Sequence, residues 1–432
     1  METKMLRSLS AALAAIAVSW AGPTADAQDA VLHAGHVLAI PGEGYLREQT
    51  ILVEGGRIVS VTSGYTRPAR HPVIDLRNAY VIPGLIDSHV HITNEQGPMS
   101  RYRIFENSEV DTAFDGAAYA LRTLEAGFTT VQDVGGNNSA VFGLRDAVAR
   151  GAVPGPRIRA SGRSVAVTGG HGDMNGWAPE VMAHFTGTNI CNGADDCRRA
   201  VRQQIKDGAD LIKITATGGV LSNTAAGLEQ QFSDAELSAI VEAAHSMGRK
   251  VTAHAHGKGG IEAALRAGVD SIEHGTYLDA ETIALFRERG AVLVPTVLAG
   301  VTVTGWTNEP WLPAASRAKA AEVGPLMLDM LRRAREGGVT IAFGTDTGVS
   351  RHGDNAGEFA LMVQAGFTAQ EAIRSATVVA ARHVQMERDI GTIEAGKFAD
   401  IIALSADPLR DINRLSDVSF VMKGGKVYKS GR

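Results

Sequence analysis

Between residues 80 and 346 the chain alternates short apolar runs with longer amphipathic stretches, and this alternation restricts the fold more than any other feature. The strand candidates are 80–92, 129–134, 157–166, 210–216, 250–256, 270–275, 291–298 and 339–346. Amphipathic segments such as 233–247 and 316–337 fill the gaps, with apolar residues recurring at helical spacing. Strands alternating with helices read as parallel βαβ units. Eight such units in this length imply an α/β protein of the (β/α)8 TIM-barrel type, whose chemistry sits at the carboxyl ends of the strands. A doubly wound open sheet is the alternative, but no Gly-Xaa-Gly-Xaa-Xaa-Gly turn follows an early strand.

The flanks have a different texture. Residues 31–38 and 50–54 alternate like strands, and Gly55-Gly56 marks a hairpin turn before 57–61. The C-terminal end repeats this pattern at 398–404 and 418–428, again with a Gly-Gly pair, Gly424-Gly425. Neither flank has enough strands to enclose a core alone. The expectation is a composite β-sandwich domain built from 28–82 plus 386–432, beside a barrel over 83–385.

The first residues carry an address. Lys4 and Arg7 precede the apolar run 9–20, and Ala25-Asp26-Ala27 fits the small-Xaa-small pattern of a signal-peptidase cut. This reading predicts a signal peptide over 1–27, cleavage near Ala27 and a periplasmic or secreted protein. The run is shorter than the ~20 residues a spanning helix needs, so no membrane association is expected after cleavage. An exported chain meets an oxidising compartment, and Cys191 and Cys197, the only cysteines, are expected to form a disulfide. Lysine and arginine number 42 against 47 acids, without long runs of either sign. That balance argues against nucleic acid as a partner and for a small molecule.

His89-Val90-His91 ends the first barrel strand, and alternate strand positions put both imidazoles on one face. Two such nitrogens can grip Zn²⁺ or a similar divalent ion if carboxylates and further histidines complete the set. Candidates stand at or near other strand ends: Lys213, His254, His274 and Asp346. Ala342 and Gly344 share a strand face with Asp346, leaving room for ions. Lys213, in an apolar strand, is costly to bury charged. It is either a buried ion pair or desolvated neutral amine, or it reacts with CO₂ to give a carbamate, an anionic donor able to bridge two metals.

His171, in the Gly-rich loop 168–173, is a candidate donor to a substrate carbonyl or oxyanion. His256 shares a face with His254 and either lines the pocket or supports a ligand by hydrogen bonding. The segment 218–222, with Gly219 and Val220, and the segment 168–190, with Trp177, His184 and Phe185, are candidates to shape the substrate pocket. Arg163, Arg351 and backbone amides are candidates for a substrate carboxylate. His33, His36, His71, His184, His245, His352 and His383 read as surface or packing residues, and Asp87 and Asp133 as structural partners.

The runs 81–91 (VIPGLIDSHVH), 211–213 (LIK), 251–256 (VTAHAH), 271–275 (SIEHG), 343–346 (FGTD) and 391–400 (GTIEAGKFAD) together resemble the amidohydrolase superfamily. Within it they are similar to the imidazolonepropionase-like and Xaa-Pro dipeptidase-like branch, which includes metal-dependent carboxypeptidases and ochratoxin amidases. The likeness spans nearly the whole mature chain. It implies that His89, His91 and Asp346 hold a buried metal and His254 and His274 a more exposed one. Carbamylated Lys213 and a hydroxide would bridge them, and Asp346 would carry the hydroxide's proton to the leaving amine. The resemblance implies amide hydrolysis by that hydroxide, releasing a C-terminal amino acid from a dipeptide or N-acyl amino acid, ochratoxin-type amides included. It also implies a homo-oligomer. Two alternatives stay open: a cyclic-amide hydrolase resembling imidazolonepropionase, and a non-catalytic exported protein that binds a metal or ligand.

Overall fold

The computed structural model describes residues 28–185, 187–224 and 227–431. The expected signal peptide lies outside the described residues. From the N-terminus come β1 (Ala30–Val37), β2 (Leu46–Glu54), β3 (Arg57–Ser63) and β4 (Val73–Pro83). Eight short strands follow: β5 (Leu85–Val90), β6 (Phe128–Asp133), β7 (Arg157–Ala160), β8 (Ile212–Thr215), β9 (Val251–Ala255), β10 (Ser271–His274), β11 (Val292–Val294) and β12 (Thr340–Ile341). The chain closes with β13 (Ile401–Leu404), β14 (Val418–Lys423) and β15 (Lys426–Ser430).

The two flanks share one sheet of order β15-β14-β13-β4-β1-β2-β3. The join is β4, which pairs parallel with β1 on one side and antiparallel with β13 on the other. Where two stacked sheets were expected, the ladder is a single sheet bent on itself. Its β3 edge returns to the segment before β13, the Ile58 amide donating to the Lys397 carbonyl at 2.9 Å. Strand alternation sends Val81 into this sheet's own core, with Leu32, Val53, Ile401 and Phe420. Its neighbour Ile82 joins Ile402 and Leu404 in the large core beneath the other face.

The middle strands form two parallel sheets, β5-β6-β7 and β12-β11-β10-β9-β8. Their ladders do not run continuously into one another. Scattered backbone hydrogen bonds link the edges instead, among them the Val165 amide to the Lys213 carbonyl at 2.8 Å and the Thr215 amide to the Val165 carbonyl at 3.1 Å on one side, and the Asp346 amide to the His89 carbonyl and the His91 amide to the Thr347 carbonyl, both at 2.7 Å, on the other. These bonds lie at the strand ends that carry the chemistry.

Several elements differ from the sequence reading. The run 80–92 is two strands, because Gly84 passes so close to β6 that a Cβ there would lie 2.2 Å from Thr129 Oγ1. One apolar run therefore serves both the flanking sheet and the first barrel-type strand. The segment 316–337 is two helices, Ala314–Val323 and Met327–Glu336, separated by a 3-10 turn at Gly324–Leu326. Pro325 lacks the amide that a continuous helix would need. The segment 233–247 is the helix Asp234–Ser246, closed at its start by a reciprocal Ser233–Glu236 capping box. Cys191 and Cys197 are bonded and buried, at the entrance to the helix Ala194–Asp207. Among the described residues no helix is long and apolar enough to cross a membrane.

Candidate active site

The strand-end residues singled out in the sequence converge. His89 on β5, His91 just beyond it, Lys213 on β8, His254 on β9, His256 after it, His274 on β10 and Asp346 beyond β12 line one cavity of about 250 Å³. Three residues around it hold left-handed backbone: His274 (φ 71°), Thr296 (φ 52°) and Asp346 (φ 57°). Such conformations cost about 1–3 kcal/mol each outside glycine and persist where surrounding structure demands them.

Each histidine is tied by one ring nitrogen. His89 Nδ1 donates to Glu273 Oε2 at 2.6 Å, His91 Nδ1 to the Gly135 carbonyl at 2.7 Å and His254 Nε2 to the Gly218 carbonyl at 3.2 Å. The Thr296 hydroxyl donates to the Pro295 carbonyl, so it accepts from His274 Nδ1 at 2.7 Å. His256 Nδ1 pairs with Thr276 Oγ1 at 2.8 Å. A ring that donates from one nitrogen keeps a lone pair on the other, and such partners are what fix tautomer and orientation in metal-binding histidines. Burial, reinforced by neighbouring imidazoles, holds His254 and His274 well below the usual histidine range. Burial, followed by His171, puts His256 at about 3. These rings are neutral at ordinary pH, the form that binds metal.

Asp346 supplies the anion. Its Oδ1 lies 3.5 Å from His89 Nε2 and 3.2 Å from His91 Nε2, yet it is buried without a well-formed hydrogen bond. Burial alone would raise this carboxyl, but the two imidazoles hold it well below the usual range. Ligand atoms of His89, His274 and Asp346 lie within 4.8 Å of one another, as do those of His254, His256 and His274. His274 thus belongs to both groups, and His256 stands among the potential ligands as well as on the pocket wall. Lys213 is buried, and its amine is pushed below the usual lysine range by that burial, with Glu273 and Asp346 opposing. Lone pairs, an orphaned carboxylate oxygen and a desolvated amine form a donor set that fits divalent ions.

His171 packs against this set, its ring centroid 4.2 Å from that of His254. Its Nδ1 is 2.5 Å from Ser222 Oγ, and its backbone amide donates to Gln231 Oε1 at 2.9 Å. Burial, then the charges of Lys213 and Lys319, lower it to about 4. Val220 lines the cavity. Gly219 lies flat against the His171 ring, where a Cβ would approach its atoms to 2.3 Å, so its role is to make room for His171. Leu221, Ala299, Val303, Val323 and Met327 supply an apolar wall.

An outer cavity of about 370 Å³ shares Gln96, His171 and Leu221 with the inner one and adds Arg163 and Phe185. Trp177 packs on Phe105 and Arg101, and His184 sits beside Phe185. Arg351 is exposed and lines neither cavity. Asp87 is structural, accepting from Thr345 Oγ1 at 2.6 Å and Asn355 Nδ2 at 2.8 Å, while burial raises it to about 6. Asp133 accepts the Ile92 amide at 2.7 Å. His352 and His383 are buried packing residues, the first stacked on Tyr119 and the second against Gln132. Sequence reasoning assigned no role to Glu273 or Lys319, and named Ser222 only within the pocket-shaping segment 218–222. A glutamate inside an apolar strand was the available signal for Glu273; Lys319 has none short of the fold.

The amidohydrolase family profile matches residues 80–428. Ochratoxinase of Aspergillus niger is 33% identical over 431 residues, covering 94% of this chain and 88% of that protein. The crystal structure of a Xaa-Pro dipeptidase with methionine bound in its active site superimposes with a TM-score of 0.90 at 40% identity, covering 93% of this chain and all (100%) of the other. A prolidase complexed with N-methylphosphonate-L-proline superimposes with a TM-score of 0.85 at 34% identity, covering 93% and 99%. The converging strand-end ligands and these likenesses agree: the chain belongs to the amidohydrolase family, on its Xaa-Pro dipeptidase-like branch, and is a hydrolase of amide bonds.

Proposed function

We propose that this amidohydrolase releases the C-terminal amino acid from a dipeptide or N-acyl amino acid, using two divalent ions, Zn²⁺ foremost, and a carbamylated Lys213. The observation that carries the reading is Asp346 Oδ1, buried beside His89 Nε2 and His91 Nε2 with no hydrogen bond to satisfy it. A pair of ions bound here would supply a water of lowered pKa and polarise the scissile carbonyl.

The chain's own residues do the rest. His89, His91 and Asp346 would hold one ion, and His254 and His274 the other, with His256 beside them. Lys213 Nζ, pushed below the usual lysine range by burial, would add to CO₂ in its unprotonated form: an N–C bond forms, one proton leaves, and the side chain becomes an anion that would offer an oxygen donor to the ion site. Asp346 accepts the proton of the attacking water on its free oxygen and passes it to the departing amine. His171 donates to the substrate carbonyl oxygen. The apolar wall around Val220 and Val323 receives an uncharged side chain, and the outer cavity receives the other half of the substrate, with Arg163 within reach of a carboxylate. Substrates of the kinds named in the relatives, an ochratoxin-type amide or a Xaa-Pro dipeptide, suit this division.

The same reading takes the two parallel sheets as arcs of one eight-stranded barrel over 83–385, with 28–82 and 386–432 forming the second domain. It also takes the protein to be exported and homo-oligomeric. The test is a panel of dipeptides and N-acyl amino acids assayed with metal-quantified mature protein. Two ions per chain and release of a free amino acid are expected; metal-loaded protein inert towards every amide would refute the proposal.

A further inference from the structure

The helix Ala314–Val323 presents Ser316, Lys319 and Val323 at helical spacings that share one face. Val323 lines the inner cavity. Lys319 is buried, and its Nζ donates to the carbonyls of Gly219 and Ser222, each at 2.8 Å. Ser316 Oγ reaches the same Ser222 carbonyl at 3.5 Å. Among the described residues no carboxylate pairs with Lys319. Removing an ammonium from water without a counter-ion is strongly unfavourable, so the two carbonyls are what make its position tenable.

The loop that Lys319 grips, 219–222, packs against His171, which stands on the separate loop 168–173. Gly219 lies under the His171 ring, and Ser222 Oγ meets His171 Nδ1 at 2.5 Å. Among the described residues nothing hydrogen-bonds His171 Nε2. A neutral imidazole has one proton. For His171 to donate from Nε2 to a substrate oxygen, Nδ1 must be bare, and a serine hydroxyl can supply the O–H that a bare Nδ1 accepts.

We propose that Lys319 is a positioning residue: by clamping residues 219–222 it makes Ser222 Oγ donate to His171 Nδ1, which fixes the Nε2–H tautomer facing the cavity. Because Val323 lies on the same helix face, the element that contacts the substrate's apolar side chain is also the one that sets His171. The kinetic part rests on the amide-hydrolase reading above; the tautomer part does not.

The test combines ¹⁵N-histidine NMR with kinetics, the His171 signals being assigned by their loss in His171→Ala. Wild type should show a single Nε2–H tautomer. Lys319→Met should convert His171 to a mixture and lower kcat about tenfold, within what a lost oxyanion donor costs, with KM and metal content unchanged. Lys319→Arg, which can still reach both carbonyls, should restore the single tautomer. In a His171→Ala background, Lys319→Met should have no further effect on kcat. A single Nε2–H tautomer retained in Lys319→Met, or an equal loss of kcat with and without His171, would overturn the proposal. If Lys319→Met does not fold, Ser222→Ala decides it, since a tautomer unchanged without that hydroxyl is equally fatal. Should wild type hydrolyse no amide, the functional reading falls while the tautomer measurement still judges Lys319.

Discussion

Glu273 accepts the Nδ1 proton of His89 at 2.6 Å, and both side chains are closed off from solvent. Thr252 Oγ1 donates to the other carboxylate oxygen, so Glu273 is anchored on both sides. This contact aims His89 Nε2 at Asp346, and it makes the ring a better electron donor. Glu273→Gln keeps the shape and removes the charge. Metal affinity should fall about 10–100-fold, read by competition with a chromophoric chelator; unchanged affinity would deny Glu273 that role.

Lys213→Ala should lose most activity, because the other anionic side chain lining the cavity among the described residues, Asp346, is already committed beside His89 and His91. Short carboxylic acids added to the variant should restore part of it. Full activity and metal content in Lys213→Ala would dispose of the carbamate, as would failure to incorporate label from ¹³C-bicarbonate into wild type.

Asp346→Asn preserves volume and removes the proton acceptor. Turnover should drop by about 10²–10⁴, the usual contribution of a general base, while circular dichroism stays that of the wild type. If single-turnover rates do not change, Asp346 does not carry the proton.

Glu358 is buried at the start of the helix Val297–Gly305, where it accepts the Val297 and Leu298 amides at 3.0 and 2.6 Å. Burial raises its carboxyl from 4.5 to about 8. Between those values the folded chain holds a proton that the unfolded chain has released, so stability falls as pH rises through this window. Each unit of pKa is worth on the order of 1.4 kcal/mol. Glu358→Gln should flatten this slope in denaturant titrations run from pH 5 to 9, and a slope equal to that of the wild type would show Glu358 is not its source.

The Cys191–Cys197 bridge closes a loop with a sequence separation of 6. Chain-entropy arguments assign such a short loop about 2 kcal/mol. The double variant Cys191→Ser, Cys197→Ser should therefore melt a few degrees lower. The Cys191 amide also donates to the Ala166 carbonyl at 2.9 Å, so the bridge lies beside the segment leading to His171.

Much of the site was legible in the linear chain because parallel strands separated by helices bring their carboxyl ends together whatever the distance in sequence. His89, His91, Lys213, His254, His274 and Asp346 could be chosen by their place at strand ends, and the structure gathers them in one cavity. Period-two alternation likewise marked strands in both flanks. Other features depended on approach between segments remote in sequence, which no local pattern encodes. The break at Gly84 exists because Thr129 presses on it, and the pairing of β4 with β13 joins residues more than three hundred positions apart. Glu273 against His89, Thr296 under His274 and Lys319 beneath the 219–222 loop are contacts that only the folded chain brings together. Residue type and spacing determined which side chains could act; the packing of one element on another decided which nitrogen of each ring points at the cavity, because a hydrogen bond has direction and only the folded chain supplies its partner.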